Sequence, residues 1–194
     1  MTHAELNALR LWILCKRAAA SIHDGRAPSE RYADAVARLL FGTAAQESGL
    51  RWERQRSPRW EGLVGGFSKW QVERGSVSDS LAMIKARPVL CSNVTGFVFA
   101  DPNAPANSMQ SFTADQWLAV MRIDNNDAPG AAFARLHYLR VKSPVPEGLE
   151  QQAEYWKRHY NTSAGKGTPE QYLASWRRYC APVLDFARAV VTGE

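Results

Sequence analysis

Residues 29–49 read SERYADAVARLLFGTAAQESG. Within this stretch Val36, Leu39, Leu40, Thr43, Ala44 and Glu47 recur at spacings of three and four, the period of one face of an α-helix. Ser29 stands where a hydroxyl accepts from the amide three residues on, that of Tyr32, and Glu30 adds negative charge to the first turn. Gly49 follows where a left-handed residue commonly closes a helix. The pattern predicts a helix from Arg31 to Ser48, buried at the centre of the fold.

Working outward from it, the chain reads as mainly helical. Leu6, Leu9, Ile13 and Cys15 set a helical rhythm from Ala4 to Ser21, which Asp24, Gly25 and Pro28 break. Beyond Gly49 the character changes. Gly62, Gly65 and Gly66 loosen the chain, and Trp52, Trp60, Phe67 and Trp70 punctuate it, so a short hairpin or irregular loop is expected there. A helix over Ser76–Ala86 follows. Residues 87–112 carry Pro88, Pro102 and Pro105 and the β-prone run Thr95–Phe99. They predict a loop or short-strand insertion that projects from the surface with Phe97, Val98 and Phe99 exposed. Thr113 and Gln116 form a capping-box pattern ahead of Trp117, Leu118 and Met121. Further helices are expected over Ala128–Val141, Gln151–Tyr160, Pro169–Tyr179 and Pro182–Val191. Pro144 and Pro146 end the first of them, and Thr168 with Pro169 starts the third.

The composition excludes several classes. With 194 residues, 45% hydrophobic and 22% charged, the chain suits one globular domain over 1–194. No apolar run approaches the roughly 20 residues of a membrane span. Leu9–Cys15 is short, and its basic residues, Lys16 and Arg17, follow the apolar run instead of preceding it, so no export signal is expected. Cys15, Cys91 and Cys180 are odd in number and widely spaced, which predicts buried thiols and no disulfide framework. The four histidines form no zinc pattern, and no metal or other cofactor is expected. The net charge of +5 favours an anionic environment such as a bacterial wall, but the basic residues are dispersed and nucleic-acid binding is not indicated.

Glu47 is the candidate for chemistry. A carboxyl on an apolar stripe is partly desolvated, which raises its pKa and suits it to act as a general acid near neutral pH. The competing reading is a glutamate at a frayed helix end, reaching solvent.

Three stretches together resemble a known family. Gln46-Glu47-Ser48-Gly49, closing a helix, is similar to the catalytic-glutamate motif of single-glutamate lytic transglycosylases and goose-type lysozymes. Gly66-Phe67-Ser68-Lys69-Trp70-Gln71-Val72-Glu73 resembles the second, cleft-lining motif of that family. His159-Tyr160-Asn161-Thr162-Ser163-Ala164-Gly165-Lys166-Gly167-Thr168 resembles the third, a Tyr-Asn-Ala-Gly element whose tyrosine faces the catalytic glutamate. Residues 42–48, 134–141 and 155–161 further resemble a family of phage and prophage proteins. Ser68 stands where the second motif has glycine three residues before its glutamine. Thr162 and Ser163 are two extra residues in the third motif.

The resemblance implies a mainly α, α+β lysozyme-like fold: a helical bundle around a central catalytic-type helix, with a small hairpin or loop region. It implies a virion-associated, peptidoglycan-cleaving protein, located in the phage particle or in host cytoplasm before assembly and acting in the host envelope. The implied partners are the glycan strand and other virion proteins. Glu47 would protonate the MurNAc–GlcNAc oxygen and then, as carboxylate, take the proton of the MurNAc 6-hydroxyl, closing a 1,6-anhydro ring without a second carboxylate. Tyr160 would hold Glu47 or donate to the N-acetyl group. Ser48, Gln71 and Asn161 would contact sugar amides or hydroxyls, and Trp70 and Trp52 would stack on sugar faces. A tryptophan in so aromatic a chain also reads as core. Glu53, Glu61 and Glu73 are the nearby carboxylates for a hydrolytic route, and their flanks look solvated. The alternative function is a non-catalytic tail, baseplate or connector component built on the same fold.

Overall fold

A computed structural model describes residues 2–51, 66–101, 103–105, 107–122, 126–163 and 165–192, with the side chains of 191 and 192 excepted. Trp52, Glu53, Trp60, Glu61, Gly62, Gly65, Pro102 and Ala164, named above, lie outside the described residues.

The chain is mainly helical. The first helix, α1 (His3–Ser21), opens on a capping box in which Thr2 Oγ1 accepts from the Glu5 amide and Glu5 returns the bond to the Thr2 amide. α2 (Glu30–Ser48) follows. Ser29 accepts from the Tyr32 amide at its start, and Gly49, at φ 60°, ends it in the left-handed conformation. From Ala35 to Ala45 every residue of α2 except Arg38 is buried. A helix apolar all round must be enclosed by others, and α2 packs against α1, against α6 (Asp127–Leu139), α7 (Leu149–Trp156) and α8 (Pro169–Ser175).

The neighbours crowd in at Gly42. A Cβ there would overlap the Tyr172 hydroxyl and lie 2.9 Å from Trp176 Cε3. Thr43, beside it, is the one polar group the stripe buries, and it is satisfied. Its hydroxyl donates to the Leu39 carbonyl at 2.7 Å, so at 2.8 Å it accepts from the Tyr138 hydroxyl. The rest of the frame consists of α3 (Arg74–Lys85), α4 (Pro88–Phe99), a 3-10 turn at Ser108–Ser111, α5 (Ala114–Val120) and α9 (Ala181–Thr192). Thr113 and Gln116 form the expected capping box at the start of α5. The buried apolar residues make one continuous cluster running through these elements. No helix among the described residues is long and apolar enough to cross a membrane.

One expectation is corrected. Residues 87–112 are not a projecting insertion of loops and short strands. Pro88 sits in the first turn of α4, where its fixed φ and missing N–H cost nothing. Leu90, Cys91, Val94, Thr95 and Phe97 then fall at helical spacing and are buried against the core. β-branched residues and Gly96 disfavour helix locally, but burial of that face outweighs their propensity. Met109, in the 3-10 turn, is fully buried, and its carbonyl accepts from Trp117 Nε1 at 3.0 Å. Of the three residues expected to be exposed, Phe97 is buried and Val98 half-buried. Phe99 is exposed, with its ring edge against Trp117.

The final helix expected over Pro182–Val191 is present as α9 (Ala181–Thr192), but it is continuous with α8. α8 runs through a π-helical segment, Trp176–Cys180, straight into α9. A proline inside an α-helix removes a bond and clashes with the carbonyl four residues back; a wider π turn ahead of it gives the ring room. α7 likewise continues into a π-helical segment, Lys157–Asn161, which places Tyr160 and Asn161.

The hairpin after α2 reduces, among the described residues, to one antiparallel bridge. Phe67 and Val72 exchange N–H to carbonyl bonds of 3.0 and 2.7 Å around a four-residue turn.

Candidate active site

α2 ends at the wall of an open cleft of about 900 Å³. Glu47, on its last turn, lines the cleft with Gln71 from the Phe67–Val72 turn, Glu73 at the start of α3, His137 near the end of α6, and Tyr160 and Asn161 from the π segment Lys157–Asn161 at the end of α7. Residues far apart in sequence thus meet at one place, and three sequence-proposed site residues, Gln71, Tyr160 and Asn161, are brought to Glu47's cleft.

Glu47 is partly buried. Burial pushes its pKa up from the usual carboxyl range to about 7, opposed by a hydrogen bond from Trp156 and reinforced by the nearby charge of Glu73. The indole Nε1 of Trp156 donates to Glu47 Oε1 at 3.0 Å. Trp156 is itself fully buried against Tyr172, with ring centroids 5.4 Å apart, so the donor is rigidly held. One carboxyl oxygen is therefore fixed, and with a pKa of about 7 the group keeps a substantial protonated fraction at neutral pH.

Tyr160 lines the cleft, but its hydroxyl donates to the Trp70 carbonyl at 2.8 Å, and its ring packs on His137 and Tyr138. It thereby ties the cleft wall to the Phe67–Val72 turn. The direct hydrogen bond to Glu47 comes from Trp156, to which sequence reasoning assigned no role. The only signal was its position one helical turn before Tyr160.

The turn that carries Gln71 is strained. Ser68 has φ 63° and Gln71 φ 50°, both in the left-handed region that favours glycine. Ser68 stands where the resembled motif has glycine, which is the conformation glycine would adopt freely. Here the conformation is held by hydrogen bonds. Ser68 Oγ accepts from the Trp70 amide at 3.3 Å, and the Ser68 carbonyl accepts from Gln71 Nε2 at 2.8 Å.

Trp70 and Ser48 do not line the cleft. Trp70 is fully buried and its Nε1 donates to the Leu40 carbonyl at 2.8 Å, so it anchors the turn to α2 as a core residue. Ser48 is buried and donates to the Ala44 carbonyl at 2.8 Å, turned into its own helix. Neither is placed to contact a ligand in the cleft. Glu73, expected to be solvated, is exposed yet belongs to the cleft wall.

His137 is neutral. Arg140 Nη2, which can only donate, lies 2.8 Å from its Nδ1, so Nδ1 is an acceptor and Nε2 carries the proton, donated to the His159 carbonyl at 2.6 Å. Burial pushes its pKa down. Ser76 Oγ lies 3.0 Å from the same Nδ1. This network fixes the end of α6 to the π turn that carries Tyr160.

Compared with known proteins, the chain matches no family model, no curated protein and no solved structure.

Proposed function

We propose that this chain is a lysozyme-like, α+β glycosidase of the lytic-transglycosylase type, which cuts the MurNAc–GlcNAc bond of peptidoglycan with Glu47 as its single acid–base group. The observation that carries the reading is a partly buried carboxyl, held by Trp156 and with its pKa raised to about 7, in the wall of an open cleft. A general acid requires this combination of a neutral form at working pH and access to substrate.

In the proposed reaction Glu47 gives its proton to the glycosidic oxygen as the bond to the MurNAc anomeric carbon breaks. The carboxylate then takes the proton of the MurNAc 6-hydroxyl, whose oxygen closes the 1,6-anhydro ring. Glu47 ends protonated, as it began. The Trp156 N–H steadies the carboxylate between the two steps, and Gln71 and Asn161 offer amide groups to the sugar. Trp70 has no place in this scheme. The resemblance of residues 42–48, 134–141 and 155–161 to phage and prophage proteins supports a virion-associated protein that acts in the host envelope, with peptidoglycan and other virion proteins as partners.

The test is digestion of purified sacculi by the wild type and by Glu47→Gln, with products read by mass spectrometry. The reading expects 1,6-anhydro-muropeptides from the wild type and a loss of at least about 100-fold in the variant, the usual contribution of an acid–base group. Equal activity of the two proteins would refute the role of Glu47. Reducing-end products would mean hydrolysis, with Glu73 the described carboxylate available on the cleft wall. Inactivity of both, with the chain found as an ordered subunit of particles, would favour a structural virion component.

A further inference from the structure

The cleft wall beyond Glu47 has a polarity that its amide groups alone do not dictate. A side-chain amide offers an acceptor at one end and donors at the other, and its neighbours decide which end faces the ligand. Lys157 Nζ donates to Asn161 Oδ1 at 2.8 Å, and its other bonds go to the carbonyls of Thr162 and Gly165 at 2.9 and 2.8 Å. An ammonium only donates, so the Asn161 oxygen is fixed on Lys157. Gln171 Oε1 accepts from the Thr168 amide at 3.0 Å in the capping box of α8, and a backbone N–H only donates, so this oxygen is fixed as well. Neither Lys157 nor Thr168 lines the cleft, whereas Asn161 and Gln171 both do. Their acceptor ends are thus spent on groups outside the cleft, leaving the NH2 groups as the donors the wall has to offer.

Gly167 keeps the first of these donors uncovered. A Cβ there would lie 3.3 Å from Asn161 Nδ2 and 2.6 Å from Trp156 Cη2. Lys166, between Gly165 and Gly167, lines the same cleft, is exposed, and forms no ion pair among the described residues. Two oriented NH2 groups and an ammonium make a wall of donors with net positive charge. The carboxyls of the cleft, Glu47 and Glu73, come from other elements, α2 and the start of α3.

We propose that Asn161, Lys166 and Gln171 form a subsite for a carboxylate borne by the substituents of the glycan strand, so that the cleft prefers carboxylate-bearing strands to plain N-acetylglucosamine polymer. The inference rests on the glycosidase reading above and deepens it. Two sources carry the chemistry: the free lactyl carboxylate of a peptide-free MurNAc residue, and the carboxylates of a peptide stem. Charge-assisted hydrogen bonds are the strong ones, about twice a neutral bond, and a carboxylate accepts from several donors at once.

The experiment measures binding by titration calorimetry in the Glu47→Gln background, so that substrate is not consumed. Three glycans of equal length are compared: a GlcNAc-only oligomer, a peptide-free GlcNAc–MurNAc oligomer, and the same oligomer with peptide stems. At least one carboxylate-bearing glycan should bind about tenfold or more tighter than the GlcNAc-only oligomer, and which one does so identifies the source. Asn161→Asp and Gln171→Glu keep the bonds to Lys157 and Thr168 while replacing NH2 by oxygen, and Lys166→Gln removes the charge. Each should reduce that preference, with thermal melts confirming that the fold is intact. Equal binding of all three glycans, or a preference that survives all three substitutions, would overturn the subsite and leave the glycosidase reading standing. Failure of every glycan to bind would overturn both.

Discussion

At the scale of single residues, the cost of the site is measurable in Glu47. Its pKa is raised from 4.5 to about 7 in the folded chain, so the folded state holds the proton more tightly than the unfolded state between those values. This contribution to stability is fully present below about pH 4.5 and is lost as pH rises through about 7. Glu47→Gln cannot ionise and is spared the loss. The variant should therefore gain on the wild type by about 3 kcal/mol at pH 8 and little at pH 4.5, as read by denaturant unfolding at the two pH values. A constant difference would mean that Glu47 is not desolvated. The same ionisation sets the rate profile: as a general acid Glu47 works protonated, and kcat/KM should fall as pH rises through about 7. Trp156→Phe removes the N–H that favours the carboxylate, so the falling limb should move to higher pH while the indole's neighbours retain a ring to pack on. An unmoved limb would show that the bond does not tune the acid.

At the scale of elements, α2 departs from isolated-helix behaviour at Gly42. In an exposed helix Gly→Ala stabilises by about 1 kcal/mol. Here the added methyl would overlap the Tyr172 hydroxyl and crowd Trp176, and both rings are buried. Gly42→Ala should therefore destabilise by about 1–3 kcal/mol, the usual range for overpacking, and chemical denaturation will give the sign. α4 makes a parallel case. Leu90 is buried and Val89, its neighbour, is half exposed at 51%. Leu90→Ala should cost about 2–5 kcal/mol, whereas Val89→Ala should stay within about 0.5 kcal/mol. Equal and small effects would return this stretch to the surface.

At the scale of the whole molecule, the segment 87–112 is structural. Its removal would take away Leu90, Cys91, Val94, Phe97 and Met109 from the one hydrophobic cluster and leave Trp117 and Phe133, whose rings meet at 5.6 Å, open to water. Deleting it should abolish cooperative thermal unfolding, which calorimetry would register as loss of the transition. A deletion that still unfolds cooperatively would identify the segment as an appendage. The cleft depends on the same frame. α2 supplies the acid, the Phe67–Val72 turn supplies Gln71, and α7 with its π turn supplies Trp156, Tyr160 and Asn161. Single hydrogen bonds tie these elements: Trp156 to Glu47, Trp70 to the Leu40 carbonyl and Tyr160 to the Trp70 carbonyl, with His137 of α6 holding the π turn through the His159 carbonyl.

The sequence by itself determined what is local. Ser29, Gly49, the Thr113–Gln116 pair and the 3.6-residue stripe of α2 act on their own neighbours, so the helix, its caps and the lie of Glu47 along an apolar face were all legible. What depends on distant partners was not. Trp70 lies in a motif that suggests a sugar platform, but the Leu40 carbonyl 30 residues away engages its indole and burial does the rest. Ser48 follows the acid but turns back into its own helix. Pro88 and Thr95–Phe99 carry loop and strand signals, and only the apolar surfaces beside them make a helix of that stretch the better solution. Trp156 reaches Glu47 across 109 residues. A side chain's neighbours along the chain fix its periodicity and its caps. The groups that desolvate it, or spend its donors and acceptors, are chosen only when the chain closes on itself, and in this protein they decide which polar atoms face the cleft.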